Sequence, residues 1–242
     1  AGTSKVASLT ITPGTGGGSP GTGGGSGEVT GTTIFDGTGT WVDGTAGPAA
    51  AFGIQGAFFV LEDGVKDGTP VPADGLTHSD LSPDKFDETT TKPCVSGSVA
   101  QVTAAEGATC DPAGSDCEWS ALWGGGIGLN LNETGGEDSV KSDINLTENG
   151  VKGFSFNISG SANGATVRFK VKDATNGDAD FCTAIVTPGA STVMLSDLVH
   201  NCYDGGVASA TPDFTKAVQL EWQIVTSASS AYDVENFCIE QV

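Results

Sequence analysis

Hydrophobic and polar residues alternate along most of this chain with a period of two, and no stretch sustains the period of about 3.6 that a helix requires. Gly153–Gly160 (GFSFNISG) turns Phe154, Phe156 and Ile158 one way and polar residues the other. Ala165–Asp173 places Val167, Phe169 and Val171 on one face, with Arg168, Lys170 and Lys172 on the opposite one. Lys216–Thr226 sets Val218, Leu220, Trp222 and Ile224 against Gln219, Glu221 and Gln223. Trp123–Asn132 does the same with Ile127, Leu129 and Leu131 against Gly128, Asn130 and Asn132. Thr33–Trp41, Cys94–Thr103 and Ala231–Val242 read as further strands. Ala49–Gly64 holds Ile54, Phe58, Phe59, Val60 and Leu61, a run that suits a strand buried on both faces. Ala179–Thr187 and Thr192–Leu198 read as a hairpin turning at Pro188-Gly189. Val65–Pro93 lacks periodicity and reads as an excursion loop. About ten strands spaced by turns predict an all-β, two-sheet jelly-roll sandwich.

The N-terminus stands apart. Ser4–Thr12 (SKVASLTIT) alternates as one more strand, with Val6, Ala7, Leu9 and Ile11 as its apolar side. Pro13–Ser26 follows, PGTGGGS written twice, a composition that buries nothing and behaves as a flexible tether. The chain therefore divides into an N-terminal strand (1–12), a linker (13–28) and a jelly-roll domain (29–242). A lone strand is unstable in water and must pair with a sheet edge, in its own chain or in a neighbour.

Charge narrows the partners. The chain has 242 residues, with 10 Lys+Arg against 30 Asp+Glu and a formal net charge of −20. Such a field repels nucleic acid and anionic membranes. No apolar run reaches the ~18 residues of a membrane span. Six cysteines without CxxC spacing point to disulfides and an exported, extracellular or cell-surface protein. Cys110 and Cys117 flank the turn-rich DPAGSD, and Cys182 and Cys202 bracket the expected hairpin, which leaves Cys94 with Cys238.

The ordered series IQGAFFVLEDG, CVSGSVAQV, WGGGIGLNLN, GFSFNISG, FCTAIV, VQLEWQI and YDVENFCI resembles the galactose-binding-like jelly-roll modules of secreted myxobacterial-type proteins. Carbohydrate-binding modules of bacterial glycanases share that fold. The resemblance covers Thr33 to Val242 and implies a structural calcium near the first and last strands, for which Asp36 and Asp233 stand at the comparable places.

Catalytic patterns are missing. His78 and His200 lie in no Ser/His/Asp order and beside no nucleophile elbow. Among the carboxylates none sits in a glycosidase context; Glu221 is the best single candidate. Asp63/Asp67 and Asn176/Asp178/Asp180 resemble loose calcium loops but lack EF-hand spacing. N-x-[ST] triplets fall at Asn132, Asn145 and Asn157.

A non-enzymatic protein follows, with two readings. In the first, it is a subunit of an extracellular fibre, and the N-terminal strand of each jelly roll completes the sheet of the next, so the partner is a second copy in a head-to-tail polymer. The alternative is a secreted carbohydrate-binding module that presents Gln219, Glu221, Gln223, Arg168, Lys170, Asn130 and Asn132 to a polysaccharide. That polar face carries no aromatic by this reading, and Trp41, Trp119, Trp123 and Tyr203 fall at strand ends or in loops, most simply as core plugs.

Overall fold

A computed structural model describes residues 10–11, 29–30, 32–45, 47–66, 69–70, 75–82, 92–104, 117–135, 139–174, 179–200, 202 and 214–242. In chain order the elements are β1 (Thr10–Ile11), β2 (Val29–Thr30), β3 (Trp41–Val42), the single helical turn α1 (Gly47–Ala51), β4 (Gly56–Glu62), β5 (Val65–Lys66), β6 (Thr69–Pro70), β7 (Asp80–Ser82) and β8 (Cys94–Val99). Then come β9 (Gly124–Asn130), β10 (Gly153–Ser161), β11 (Val167–Asp173), β12 (Ala179–Ile185), β13 (Gly189–Met194), β14 (Val199–His200), β15 (Ala217–Val225) and β16 (Tyr232–Gln241).

The long strands form two antiparallel sheets that face one another as a jelly-roll-type sandwich. One has five strands in the order β13-β10-β16-β8-β7 and the other seven, β14-β12-β11-β15-β9-β4-β3. Period-two patterning explains the packing. Phe154, Phe156 and Ile158 of the smaller sheet meet Val167, Phe169, Val171, Leu220, Trp222 and Ile224 of the larger, all buried. Trp222 is the centre of this core. Its ring lies 5.5 Å from Phe156 across the sandwich, 5.6 Å from Phe169 and 6.3 Å from Phe58. Burying side chains of this size contributes on the order of 1.5–3 kcal/mol each.

Four expectations change. Val65–Pro93 is not a plain loop: it holds β5, β6 and β7, and β7 pairs with β8 at the edge of the smaller sheet. The hairpin across Pro188-Gly189 does not form: β12 pairs with β11 and β14 in the larger sheet, whereas β13 pairs with β10 in the smaller. The chain crosses between sheets there because Val193 and Leu195 are buried against the opposite layer and β14 occupies the free edge of β12. Ala49–Gly64 is not a strand buried on both faces. It splits into α1 and β4, and Phe59 and Leu61 on the outer side of β4 are only half-buried. Thr33–Thr40 is irregular; its pairing strand shortens to Trp41–Val42.

Cys94 and Cys238 form a disulfide between directly opposed residues of β8 and β16, with a Cα–Cα distance of 4.1 Å. Cys182 and Cys202 form another, joining β12 to the chain just after β14. Cys117 is also disulfide-bonded, and Cys110 lies outside the described residues. In the N-terminal region Ile11 pairs antiparallel with Val29, and Thr10 with Thr30, as a two-stranded ribbon within the chain. Val6, Ala7 and Leu9 lie outside the described residues.

Candidate functional site: the outer face of the seven-stranded sheet

The register of the larger sheet fixes which side chains share its outer face. Gln219, Glu221 and Gln223 on β15 stand opposite Asn130, Gly128 and Gly126 on β9. On their other side they stand opposite Lys172, Lys170 and Arg168 on β11. β12 adds Asp180, Cys182 and Ala184, and β4 adds Phe59 opposite Gly128 and Leu61 opposite Gly126. A single row therefore runs Phe59, Gly128, Glu221, Lys170 across four strands, about 14 Å from first to last at about 4.8 Å per strand. Asn130, Gln219, Glu221, Gln223, Arg168 and Lys170 are brought together. Asn132 lies past the end of β9, where its amide donates to the Asp143 carbonyl at 3.0 Å.

Phe59 supplies the aromatic that alternation alone did not place on this face. Its ring lies flat over Gly128, and a Cβ on that glycine would sit 2.7 Å from both Cε1 and Cε2. Glycine at this position is thus what seats the ring. The Lys141 ammonium lies 5.5 Å from the ring centroid, an exposed cation–π contact. Trp41 on β3 is opposite Ala57 and so shares the outer face with Phe59; it is 37% exposed, a rim aromatic and no core plug. Trp119 is also exposed, at 40%. The signal for Phe59 was present in the sequence as FF in a strand beside a strand of alternating glycines, but strand order was needed to use it.

The polar groups form two networks. In one, the Gln219 amide donates to Asn130 Oδ1 at 3.0 Å, and the Asn130 amide donates to Glu133 Oε2 at 2.8 Å. Glu133 also accepts from the Ala57 backbone N–H and the Ser139 hydroxyl. Burial alone would raise the Glu133 carboxyl, but the donors from Ser139, Asn130 and Ala57, with the Lys141 charge, outweigh it and hold the pKa below the ordinary glutamate value. In the other network Lys170 Nζ sits 3.0 Å from Asp180 Oδ2 and 3.6 Å from Glu221 Oε2, while Lys172 Nζ is 3.7 Å from Glu221 Oε1. Burial pushes the Glu221 pKa up, against the lowering pull of Lys170 and Lys172. Gln223 donates to the Trp123 carbonyl, and its Oε1 is buried without a partner among the described residues.

The remaining candidates are placed elsewhere. Asp63 is a buried anchor: it accepts from the Ser79 N–H at 2.6 Å, the Ser79 hydroxyl at 3.1 Å and the Gly124 N–H at 2.8 Å. His78 Nδ1 is 3.5 Å from the same carboxylate. Ser79 Oγ in turn accepts the Ala100 N–H, so the hydroxyl is a structural link and no nucleophile. His200 packs against Phe181 at 5.5 Å. Asp36 caps its own turn through the Thr38 N–H and lies next to Gly37, whose Cα approaches the Glu240 carbonyl. Asp233 is at the other end of β16, where it stands opposite Ser98, seven residues or about 23 Å along the strand from Glu240. The structure does not bring Asp36 and Asp233 together. Among the described residues no three His, Cys, Asp or Glu side chains cluster as metal ligands.

No protein-family model matches the chain, and no curated protein matches it. Among solved structures it is similar to the family 11 carbohydrate-binding module of the cellulosomal cellulase Lic26A-Cel5E of Clostridium thermocellum, at 14% identity over 87% of this chain and 92% of that one, with a TM-score of 0.35. At that identity and score the likeness carries no statement about a ligand of this chain.

Proposed function

We propose that this is an exported, non-catalytic module that binds carbohydrate on the outer face of its seven-stranded sheet. The observation that carries the reading is the row Phe59–Gly128–Glu221–Lys170, in which an aromatic ring adjoins closely set hydrogen-bonding side chains. A sugar has an apolar ring face and a polar rim, so its recognition needs both a flat apolar surface and directed donors and acceptors. Phe59 supplies the first, Trp41 extends it at the rim, and the half-buried Gln219 supplies the second, backed by the buried Asn130 and Gln223. The Gln219–Asn130–Glu133 bonds and the Gln223 bond to the Trp123 carbonyl hold these groups in place before a ligand arrives, which lowers the ordering cost of binding. The disulfides fit an oxidising compartment. Among the described residues no helix is long and apolar enough to cross a membrane.

Affinity electrophoresis against a glycan panel tests the reading. The parent protein is expected to be retarded by at least one polysaccharide. Trp41→Ala and Gln219→Ala are expected to reduce that retardation while far-UV circular dichroism stays unchanged. Equal mobility of parent and variants in the gel that retards the parent places the site elsewhere.

The fibre reading stands second. It rests on the N-terminal strand, whose ribbon partner here is Val29–Thr30 of the same chain. Assembly by strand exchange would substitute a neighbouring copy for that partner and propagate as an open filament. Sedimentation velocity separates the cases: a concentration-dependent series of oligomers that disappears on deleting residues 1–12 supports the fibre, and a single monomer boundary at all concentrations removes it.

A further inference from the structure

The outer face of the larger sheet differs in charge from the rest of the molecule. The chain has 10 Lys+Arg and 30 Asp+Glu. Arg168, the single arginine, sits with Lys170 and Lys172 at alternate positions of β11, and Lys141 lies over the Phe59 ring. Four of the ten cations thus gather here, against three carboxylates among the described residues of this face, Glu133, Asp180 and Glu221. Independently, Gln223 is 3% exposed and its Oε1 has no partner among the described residues, and it stands opposite Arg168. The strand that carries the cations is thus backed by a buried amide oxygen that no described group satisfies.

Resting on the carbohydrate-binding reading, we propose that the ligand is an acidic polysaccharide: one sugar lies on Phe59, and a carboxylate or sulfate of the chain engages Arg168 and Lys172. Charge-assisted bonds from guanidinium and ammonium to such oxyanions are the stronger class of hydrogen bond. The span from Phe59 to β11, three strand steps or about 14 Å, accommodates a short run of sugars across the strands. The net charge of −20 disfavours a polyanion over the rest of the surface and so confines it to this strip. A glycan with one charge per sugar is also far less densely charged than duplex DNA, at one per about 1.7 Å, which is why the field that repels nucleic acid tolerates it.

The test compares retention of the full chain on polygalacturonate, on a sulfated galactan and on a neutral β-glucan, at one fixed ionic strength near 0.15 M, where the Debye length is about 8 Å. An acidic polymer is expected to bind, and which of the two binds distinguishes carboxylate from sulfate. Arg168→Gln and Lys172→Gln are each expected to weaken that binding about tenfold or more. Lys172→Arg, which keeps the charge, is expected to retain it, and a melting curve for each variant confirms folding. Retention on the neutral glucan alone, or acidic retention unmoved by both Gln variants, overturns the inference and leaves carbohydrate binding standing. Retention on none of the three overturns both.

Discussion

Replacing Gly128 by alanine separates the Phe59 seat from the rest of the groove. Gly128 lies in regular strand β9 and is not among the residues of positive φ, so alanine strains no backbone. Its Cβ would stand 2.7 Å from both Phe59 Cε atoms, too close for the ring to stay. Because Phe59 is half-buried on an outer face, the ring can swing outwards, and the folding cost is that of modest overpacking, about 1–3 kcal/mol. Each kcal/mol lowers Tm by roughly 2–4 °C for a domain of this size. The binding cost is separate. A sugar covering about 50 Å² of ring face, at about 25 cal/mol per Å², gains roughly 1.3 kcal/mol, close to tenfold in Kd. Gly128→Ala is therefore expected to lose about tenfold in affinity, and Phe59→Ala about the same. Titration calorimetry of both variants and their combination completes a double-mutant cycle. Since both act through one ring, the double variant should bind no worse than either single. Full affinity in Gly128→Ala, or losses that add in the double variant, would refute the seat.

Two further predictions concern stability. Chain-entropy scaling assigns about 5 kcal/mol to the Cys94–Cys238 bridge, with a sequence separation of 144, and about 3 kcal/mol to Cys182–Cys202, with a separation of 20. Thermal melts of the two double-alanine variants should show the first clearly lower; equal Tm values would contradict the loop-length account. Glu133 and Glu221 should impose opposite pH slopes. The lowered Glu133 pKa contributes stability that is present above the ordinary value of 4.5 and is lost as pH falls through the folded value beneath it. The raised Glu221 pKa costs stability as pH climbs from 4.5 to its folded value, because the folded state holds the proton longer. Urea midpoints across pH 3–8 should flatten on the acid side in Glu133→Gln and above 4.5 in Glu221→Gln; unchanged profiles would mean that neither carboxyl is perturbed.

The fold was legible in the sequence where one face of a strand is apolar and the other polar. Phe154, Phe156 and Ile158, or Leu220, Trp222 and Ile224, declare their inward side by alternation, and all six are buried. The pairing of Cys94 with Cys238 follows from two strands that happen to be neighbours, which sequence spacing alone does not encode. The error at Pro188-Gly189 has the same origin. Two adjacent strands look like a hairpin whether they stay in one sheet or cross to the other, and only the burial of Val193 and the pairing of β14 decide it. The polar half of the candidate site was readable as alternate residues on β15 and β11. Phe59 was not, because a strand with Phe58 inward and Phe59 outward reads as apolar on both sides. Its outward position becomes meaningful only when Gly128 of the neighbouring strand makes room for it.

The claim that the outer face of the seven-stranded sheet is the binding surface is tested most directly by amide chemical shifts of isotope-labelled protein titrated with an oligosaccharide fragment of whichever polymer retards it. The account predicts that the largest changes map to Phe59, Gly126–Asn130 and the side-chain amides of Gln219 and Gln223, with the five-stranded sheet unmoved. Changes centred on β10, β13 and β16, with β9 and β15 silent, would contradict it.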